Sequence, residues 1–341
     1  MKKIITLLFF SAITLIACKD DEKTNDDTAR TINVKTFDKV KVAFGDNLSQ
    51  SAEGTFTFPD NLDNVKTIKM YIKDICPNKD CDEWDRYANI YAKDKATGTW
   101  YELGRFINPY WVGNEKLERG YEVDVTDFRS ILSGTTELKI YTETWNAKGR
   151  TYSVEFDFEP GTPDYKYSAV VPVIQYNKSS IDGVPYGINF DTNVFDLTKQ
   201  ITIPTNAEIA YFRTIISGWG HATPNDAGGR GCAEWCFRTH HILMNGNPAF
   251  SHELKAIGCA QNPVNNQAPG NWKPERAGWC PGMVVPVRFN NIEKNMFGTA
   301  FNFEYDFEEW TNNNGNGNAF YAVSTFVVVK SNAPIEKPVV N

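Results

Sequence analysis

Three short runs set a carboxylate beside a tryptophan. Asp82-Glu83-Trp84-Asp85-Arg86 follows a pair of cysteines, and Glu143-Thr144-Trp145 closes an alternating apolar run. In Cys232-Ala233-Glu234-Trp235-Cys236 a glutamate sits between two further cysteines. Indole planes can lie against the apolar faces of sugar rings, whose hydroxyl edges then meet polar groups. A carboxylate held against such a surface can act as a base or orient a water, provided burial tunes its pKa. Each run also has a plainer reading. Acids at strand ends are usually solvated, tryptophan in a sandwich is usually core, and Arg86 can simply pair with Asp85.

Other chemistries find little support. There is no zinc-protease motif, phosphate loop, dinucleotide fingerprint or nucleophile elbow. All four histidines, His221, His240, His241 and His252, fall in the second half. A histidine metal site shared between halves is therefore excluded, and a local one would need Asp226 or Glu253. His240 and His241 should point to opposite faces of a strand. No metal and no cofactor are expected.

The elements that must position these runs read almost entirely as strand. Thr55–Pro59, Val65–Lys73, Tyr87–Lys93, Trp100–Ile107, Tyr121–Val125, Glu137–Trp145 and Tyr152–Phe158 alternate with Gly, Asn and Asp turns between them. Glu159-Pro160-Gly161-Thr162-Pro163-Asp164 reads as a junction. Beyond it come Tyr165–Ile174, Ile201–Pro204, Glu208–Ile216, Met283–Phe289, Phe301–Phe307 and Asn318–Lys330. Asp127–Leu132 and Glu253–Ile257 look briefly helical. Gly220–Cys280, rich in cysteine, histidine and tryptophan, reads as an ordered functional loop system. The expected architecture is all-β: two antiparallel jelly-roll-like sandwiches, 31–162 and 165–341.

The 341 residues include seven cysteines. Met1-Lys2-Lys3, an apolar stretch and Leu15-Ile16-Ala17-Cys18 read as an export signal over 1–17, too short for a membrane span. Cys18 stands where a lipoprotein signal places its lipidated cysteine. An ordinary signal peptide cut near a cysteine is the alternative. Residues 18–30 read as an acidic tether. The other six cysteines imply disulfides in an exported chain. Six allow fifteen pairings, of which close spacing favours Cys76–Cys81 and Cys232–Cys236, leaving Cys259–Cys280. Without Lys2 and Lys3 the 35 basic residues fall to 33 against 42 acidic ones, about nine net negative. That argues against a nucleic-acid partner.

Longer runs carry a resemblance. Cys76-Pro77-Asn78-Lys79, Cys81 to Asn89, Pro109-Tyr110-Trp111-Val112-Gly113 and Leu138 to Trp145 are among them. So are Gly161 to Gly187, with Gln175 to Ser180, then Ser217 to His221, Gly231 to His240 and Arg276 to Met283. On these runs, from about residue 31 to the C-terminus, the chain resembles the peptide-N-glycosidase F family, bacterial amidases that remove whole N-linked glycans from asparagine. The resemblance implies two eight-stranded jelly-roll domains side by side, with the active site in the cleft between them. Asp85 matches the principal catalytic aspartate, and Glu143 and Glu234 match its two supporting glutamates. Arg86 and Arg276 match polar residues of that cleft. Trp84, Trp145, Trp219, Trp235, Trp279 and His221 match residues lining it or lying near it. Three disulfides are expected, in the pattern favoured above.

The activity so implied is hydrolysis of the glycosylasparagine amide, giving a glycosylamine and turning asparagine into aspartate. N-glycosylated peptides and proteins are the expected partners of a monomer. The 188–203 segment is slightly longer than in the best-known member, and glycan preference would differ if it edged the cleft. Cys18 and its tether are a second departure, since that member is secreted freely. They point to an outer-membrane or surface-attached lipoprotein of a Gram-negative bacterium, otherwise to a periplasmic or secreted protein. The rival readings are a non-catalytic glycan-binding lipoprotein, a glycosidase cutting between sugars, and a copper monooxygenase, which needs histidines in both domains.

Overall fold

The computed structural model describes residues 30–177, 182–187, 191–225, 231–310 and 319–341. The leader at 1–17, Cys18 and the tether to residue 29 lie outside the described residues. So do Lys178, Ser179, Ser180, Asp226 and the start of the 188–203 segment.

Every strand pair is antiparallel. In the first half, one sheet runs Arg150–Pro160, Val65–Ile75, Tyr121–Asp124, with Ile32–Lys35 and Val40–Val42 both on the outer edge of Arg150–Pro160. Its facing sheet runs Ser51–Thr57, Thr135–Thr142, Tyr87–Lys93, Trp100–Ile107. The alternation that marked these strands is the alternation of their burial. In Thr135–Thr142, Thr136, Leu138, Ile140 and Thr142 face inward while Thr135 and Glu137 meet solvent. The second half repeats the plan. Tyr167–Tyr176, Phe320–Ser331, Ile209–Trp219 and Val287–Asn291 form one sheet, to which Val184–Pro185 adds an edge. Asn247–Leu254, Arg238–Met244, Phe301–Asp306, Thr198–Thr202 and Val339–Val340 form the other.

Several expectations change. The strand expected to reach Trp145 stops at Thr142, so Glu143 and Trp145 stand just beyond a sheet end. Glu159 and Pro160 belong to a strand, not to the junction. Asp127–Leu132 holds only a 3-10 turn, Thr126–Phe128. Glu253 and Leu254 end a strand instead of starting a helix, because Arg238–Leu254 is a hairpin inside the supposed loop region. Within the 188–203 segment, Thr198–Thr202 is sheet, with Ile201 fully buried and Thr198 and Gln200 exposed.

The halves meet through a dry seam. Tyr87 and Ile107 pack with Ile215, Trp219, Trp279, Val285, Phe320 and Ala322, and each such buried apolar group contributes roughly 1.5–3 kcal/mol. Backbone bonds cross it as well: Ile107 N–H donates to Met283 O at 2.9 Å and Gly282 N–H to Ile107 O at 2.9 Å. Arg105, wholly buried, pairs with Glu102 at 2.9 Å and donates across the seam to Ser217 Oγ at 2.7 Å and Ala322 O at 2.6 Å. Removing one partner of such a pair would strand a buried charge, so the ion pair holds the halves in one register.

Candidate active site

Asp85 lies two residues before the strand Tyr87–Lys93, and Glu143 one residue after Thr135–Thr142. These strands pair antiparallel, so the start of one lies beside the end of the other. Glu143 N–H donates to Tyr87 O at 3.2 Å, which fixes the second acid next to the approach to the first. Asp82, fully buried, ties the two loops further. Its Oδ2 accepts from Thr144 Oγ1 at 2.6 Å and from Arg86 Nε at 2.9 Å, and its Oδ1 accepts from Trp84 N–H at 3.1 Å. Arg86 therefore pairs with the acid four residues earlier and not with its neighbour Asp85.

The second half supplies Glu234 and Arg276. All three expected disulfides are present, Cys76–Cys81, Cys232–Cys236 and Cys259–Cys280. The Cys232–Cys236 bridge closes the loop bearing Glu234, and Ala277 N–H donates to Glu234 O at 2.9 Å, joining that loop to the Arg276 segment. The Cys259–Cys280 bridge anchors the segment's far end.

Arg276 is the centre of the site. Its guanidinium is wholly buried, yet it donates through Nη2 to Asp85 Oδ2 at 2.9 Å and to the Tyr110 hydroxyl at 3.1 Å. Through Nε it donates to Glu234 Oε1 at 3.0 Å. The Trp235 and Trp279 rings lie 4.3 and 4.9 Å from it, adding cation–π attraction. Burial pushes the Asp85 carboxyl up to about 6; the Arg276 charge opposes this and the Glu234 charge reinforces it. Asp85 thus titrates close to neutrality, where a base is most useful.

His221 meets the other Glu234 oxygen, Oε2, at 3.4 Å, and that contact raises its pKa above the ordinary value. The same His221 Nε2 accepts from Trp235 Nε1 at 3.2 Å. One ring nitrogen cannot do both: neutral it accepts from Trp235, protonated it donates to Glu234. Glu143 is buried on the seam side, and its charge adds to burial in raising the hydroxyl pKa values of Tyr87 and Tyr141. It reaches the second half through Tyr87, whose ring lies 5.1 Å from Trp219.

The tryptophans divide by exposure. Trp84 and Trp145 present 52% and 48% of their surface to solvent, enough to offer a ring face to a ligand. Trp84 packs edge-on to Tyr110, and Trp145 edge-on to Phe44. Trp219 and Trp279 are stacked at 4.1 Å and buried, Trp279 completely. Trp279 has no exposed surface and lies against Arg276.

Tyr110 and Asp82 went unassigned in the sequence. Tyr110 sits in the Pro109–Gly113 run, but only the fold shows its hydroxyl against Arg276. Among the described residues, His240 and His252 are buried in the hairpin core, and Glu253 pairs with Lys255. Cys259, Glu275 and Cys280 cluster, but both sulfurs are in a disulfide and Glu275 accepts from Ile257, Gly258 and Cys259 N–H groups.

Fold and site together define a two-sandwich β protein of the hydrolytic kind, with a carboxylate–arginine cluster, its acids partly open to solvent, where its halves meet. Comparison narrows this. Residues 56–158 match the family model for the N-terminal part of peptide-N-glycosidase F, and residues 186–328 that for its C-terminal part. The chain is 68% identical over 310 residues to peptide-N(4)-(N-acetyl-beta-D-glucosaminyl)asparagine amidase F of Elizabethkingia miricola, covering 91% of this chain and 87% of that one. A solved structure of PNGase F, a glycosylasparaginase from Flavobacterium meningosepticum, superposes with a TM-score of 0.89 at 68% identity, over 92% of this chain and 99% of that one. The structure of PNGF-II, at 17% identity, covers 91% of this chain and 66% of that one with a TM-score of 0.69, and shares the fold. The chain belongs to the peptide-N-glycosidase F family.

Proposed function

We propose that the protein hydrolyses the amide between an asparagine side chain and the first N-acetylglucosamine of an N-linked glycan. The whole glycan leaves as a glycosylamine and aspartate remains in the peptide. The observation that carries this is Asp85, with 14% of its side chain exposed, titrating near 6 and gripped by Arg276, which also holds Glu234. Asp85 orients or deprotonates the attacking water. Negative charge then builds on the amide oxygen, and either guanidinium can offset it: Arg276, whose charge sits beside Asp85, or Arg86, which bonds Asp82 through Nε and keeps 24% of its side chain exposed. Glu234 and Glu143 hold substrate and water and assist protonation of the leaving nitrogen. Trp84 and Trp145 offer ring faces to sugar or peptide, and Trp235 and His221 border the Glu234 side. Water and these side chains suffice, with no cofactor.

A binding-only lipoprotein has no use for a buried guanidinium between two acids, one held near neutrality. The test is incubation with a denatured N-glycopeptide and weighing of the products. A glycan-free peptide with aspartate in place of asparagine is the expected result. A peptide still carrying one N-acetylglucosamine would make the protein a glycosidase.

The three disulfides belong to an exported protein. We further propose that Cys18 carries a lipid anchor, that 1–17 is removed as its signal, and that the enzyme works as a monomer. One chain supplies all three acids, and residues 31–162 and 165–341 act as the two sandwich domains. Cys18→Ser is expected to move deglycosylating activity from the membrane pellet to the soluble fraction with unchanged specific activity. Retention in the pellet would place the anchor elsewhere.

A further inference from the structure

A further buried ion pair, Arg150 with Asp74, has no part in the chemistry above. Arg150 opens the strand Arg150–Pro160 and Asp74 lies near the end of Val65–Ile75; both are fully buried. Their closest approach is 3.4 Å, and Asp74 Oδ1 and Arg150 Nε find no hydrogen-bond partner among the described residues. As a stabilising device this is poor. Buried pairs with unsatisfied atoms are often no better than an apolar replacement.

What Arg150 does achieve is a convergence of carbonyls. Its Nη1 donates to Val112 O at 2.7 Å, and its Nη2 to Pro109 O at 2.5 Å and to Trp84 O at 3.3 Å. Trp84 is the residue before Asp85. Pro109 and Val112 bracket Tyr110, whose hydroxyl meets Arg276 beside Asp85. Between them Trp111 adopts φ 63°, a left-handed backbone that a bulky residue holds only when its surroundings impose it, at roughly 1–3 kcal/mol. The same loop is seated on Asp74: Asn114 N–H donates to Asp74 O at 2.9 Å, and Asp74 N–H to Asn114 Oδ1 at 2.9 Å. A Cβ on Gly113 would fall 2.1 Å from Asp74 O, so only glycine lets the loop approach this closely. Asn108 Nδ2 completes the mount, donating to Asp74 Oδ2 and to the Tyr152 hydroxyl, both at 2.8 Å.

We infer that Arg150 is a positioning residue for the hydrolysis: one guanidinium, seated on Asp74, fixes the Asp85 loop and the Tyr110 loop relative to each other. It touches neither substrate nor water. It sets where the Asp85 carboxylate stands against Tyr110 and Arg276, and a displacement of about 1 Å at a reacting group can cost about a hundredfold in rate. Trp145 is not bonded to Arg150, and Trp84, whose backbone carbonyl Arg150 does hold, presents its side chain to solvent. The effect should therefore fall more on kcat than on KM. This inference rests on the amidase reading, and the wild-type enzyme separates the two: if it releases no glycan, that reading fails first.

The experiment compares Arg150→Met, Arg150→Lys and Asp74→Asn with wild type on one N-glycopeptide, with circular dichroism and a thermal melt for each. Arg150→Met, which roughly keeps volume and removes the three carbonyl hydrogen bonds and the pairing with Asp74, should lower kcat by about ten- to a hundredfold, with KM within about threefold of wild type. Arg150→Lys keeps the charge but not the fork, and should recover part of the loss. Asp74→Asn keeps shape and should fall between Arg150→Met and wild type. If Arg150→Met does not fold, Arg150→Lys decides. A folded Arg150→Lys with a reduced kcat and a near-normal KM upholds the role. A folded variant that melts earlier yet keeps wild-type kcat overturns it, leaving Arg150 a purely structural residue.

Discussion

Asp85→Asn is expected to lower kcat for glycan release by about a thousandfold or more while the protein folds normally. The substitution is isosteric, and the amide can still lie against Arg276 and Tyr110. What it cannot do is take a proton from water or draw that water into line. Stability should move the other way. Asp85's carboxyl has a pKa of about 6 in the folded chain against an ordinary 3.8. Between those values the native state binds more protons than the unfolded state, so this group's contribution to stability falls as pH rises through the window. At neutral pH the ionised Asp85 works against folding, and the neutral amide removes that opposition. The variant should therefore melt no lower than wild type at neutral pH. The difference should vanish as pH falls towards 4, where both proteins carry an uncharged side chain at this position. Wild-type kcat/KM should lose activity as pH falls through about 6, because protonated Asp85 is no base. Normal turnover by Asp85→Asn would end Asp85's assignment as the principal catalytic group.

How far this site could be read from sequence depends on whether a relation is local. Strands such as Tyr87–Lys93 and Trp100–Ile107 have the residue bounds read from sequence, and both are buried on their two faces, one towards the sandwich core and one towards the seam. Two of the disulfides follow spacing, since a bridge over four or five residues needs little chain to close, and the third joins the two cysteines they leave. Local reasoning fails where neighbours in sequence diverge in space. Asp85 and Arg86 are adjacent, yet Arg86 turns back to Asp82 while Asp85 crosses the seam to Arg276. The Arg238–Leu254 hairpin was hidden because His240, His252 and Arg238 are polar residues facing its core. There burial is made tolerable by hydrogen bonds such as His252 Nδ1 to the Tyr305 hydroxyl at 3.0 Å, which no pattern of hydrophobicity reports. Tyr110, Asp82 and Arg150 share one difficulty: each matters through a contact with a residue far along the chain.

Arg276→Met should be the most damaging single change at the site, because it acts on stability and catalysis together. Removing the guanidinium leaves Asp85 and Glu234 as neighbouring, largely buried like charges, with their shared counter-charge gone. Loss of one member of a buried charge cluster typically costs about 3–5 kcal/mol, part of the cation–π attraction to Trp235 and Trp279 going with it. kcat/KM should fall by at least about a hundredfold, since the preorganised charge beside the developing oxyanion is lost. The two losses can be separated. Adding Asp85→Asn to Arg276→Met removes one of the stranded charges, so the double variant should recover much of the stability and none of the activity. Lowering the pH should likewise narrow the stability gap between Arg276→Met and wild type, as Asp85 takes up its proton. Arg276→Lys keeps the charge but cannot reach Asp85, Glu234 and Tyr110 at once, and should stay closer to the methionine variant in rate than in stability. Were Arg276→Met as stable and active as wild type, the carboxylates would be positioned by something else, and Arg276 would lose its place at the centre of the site.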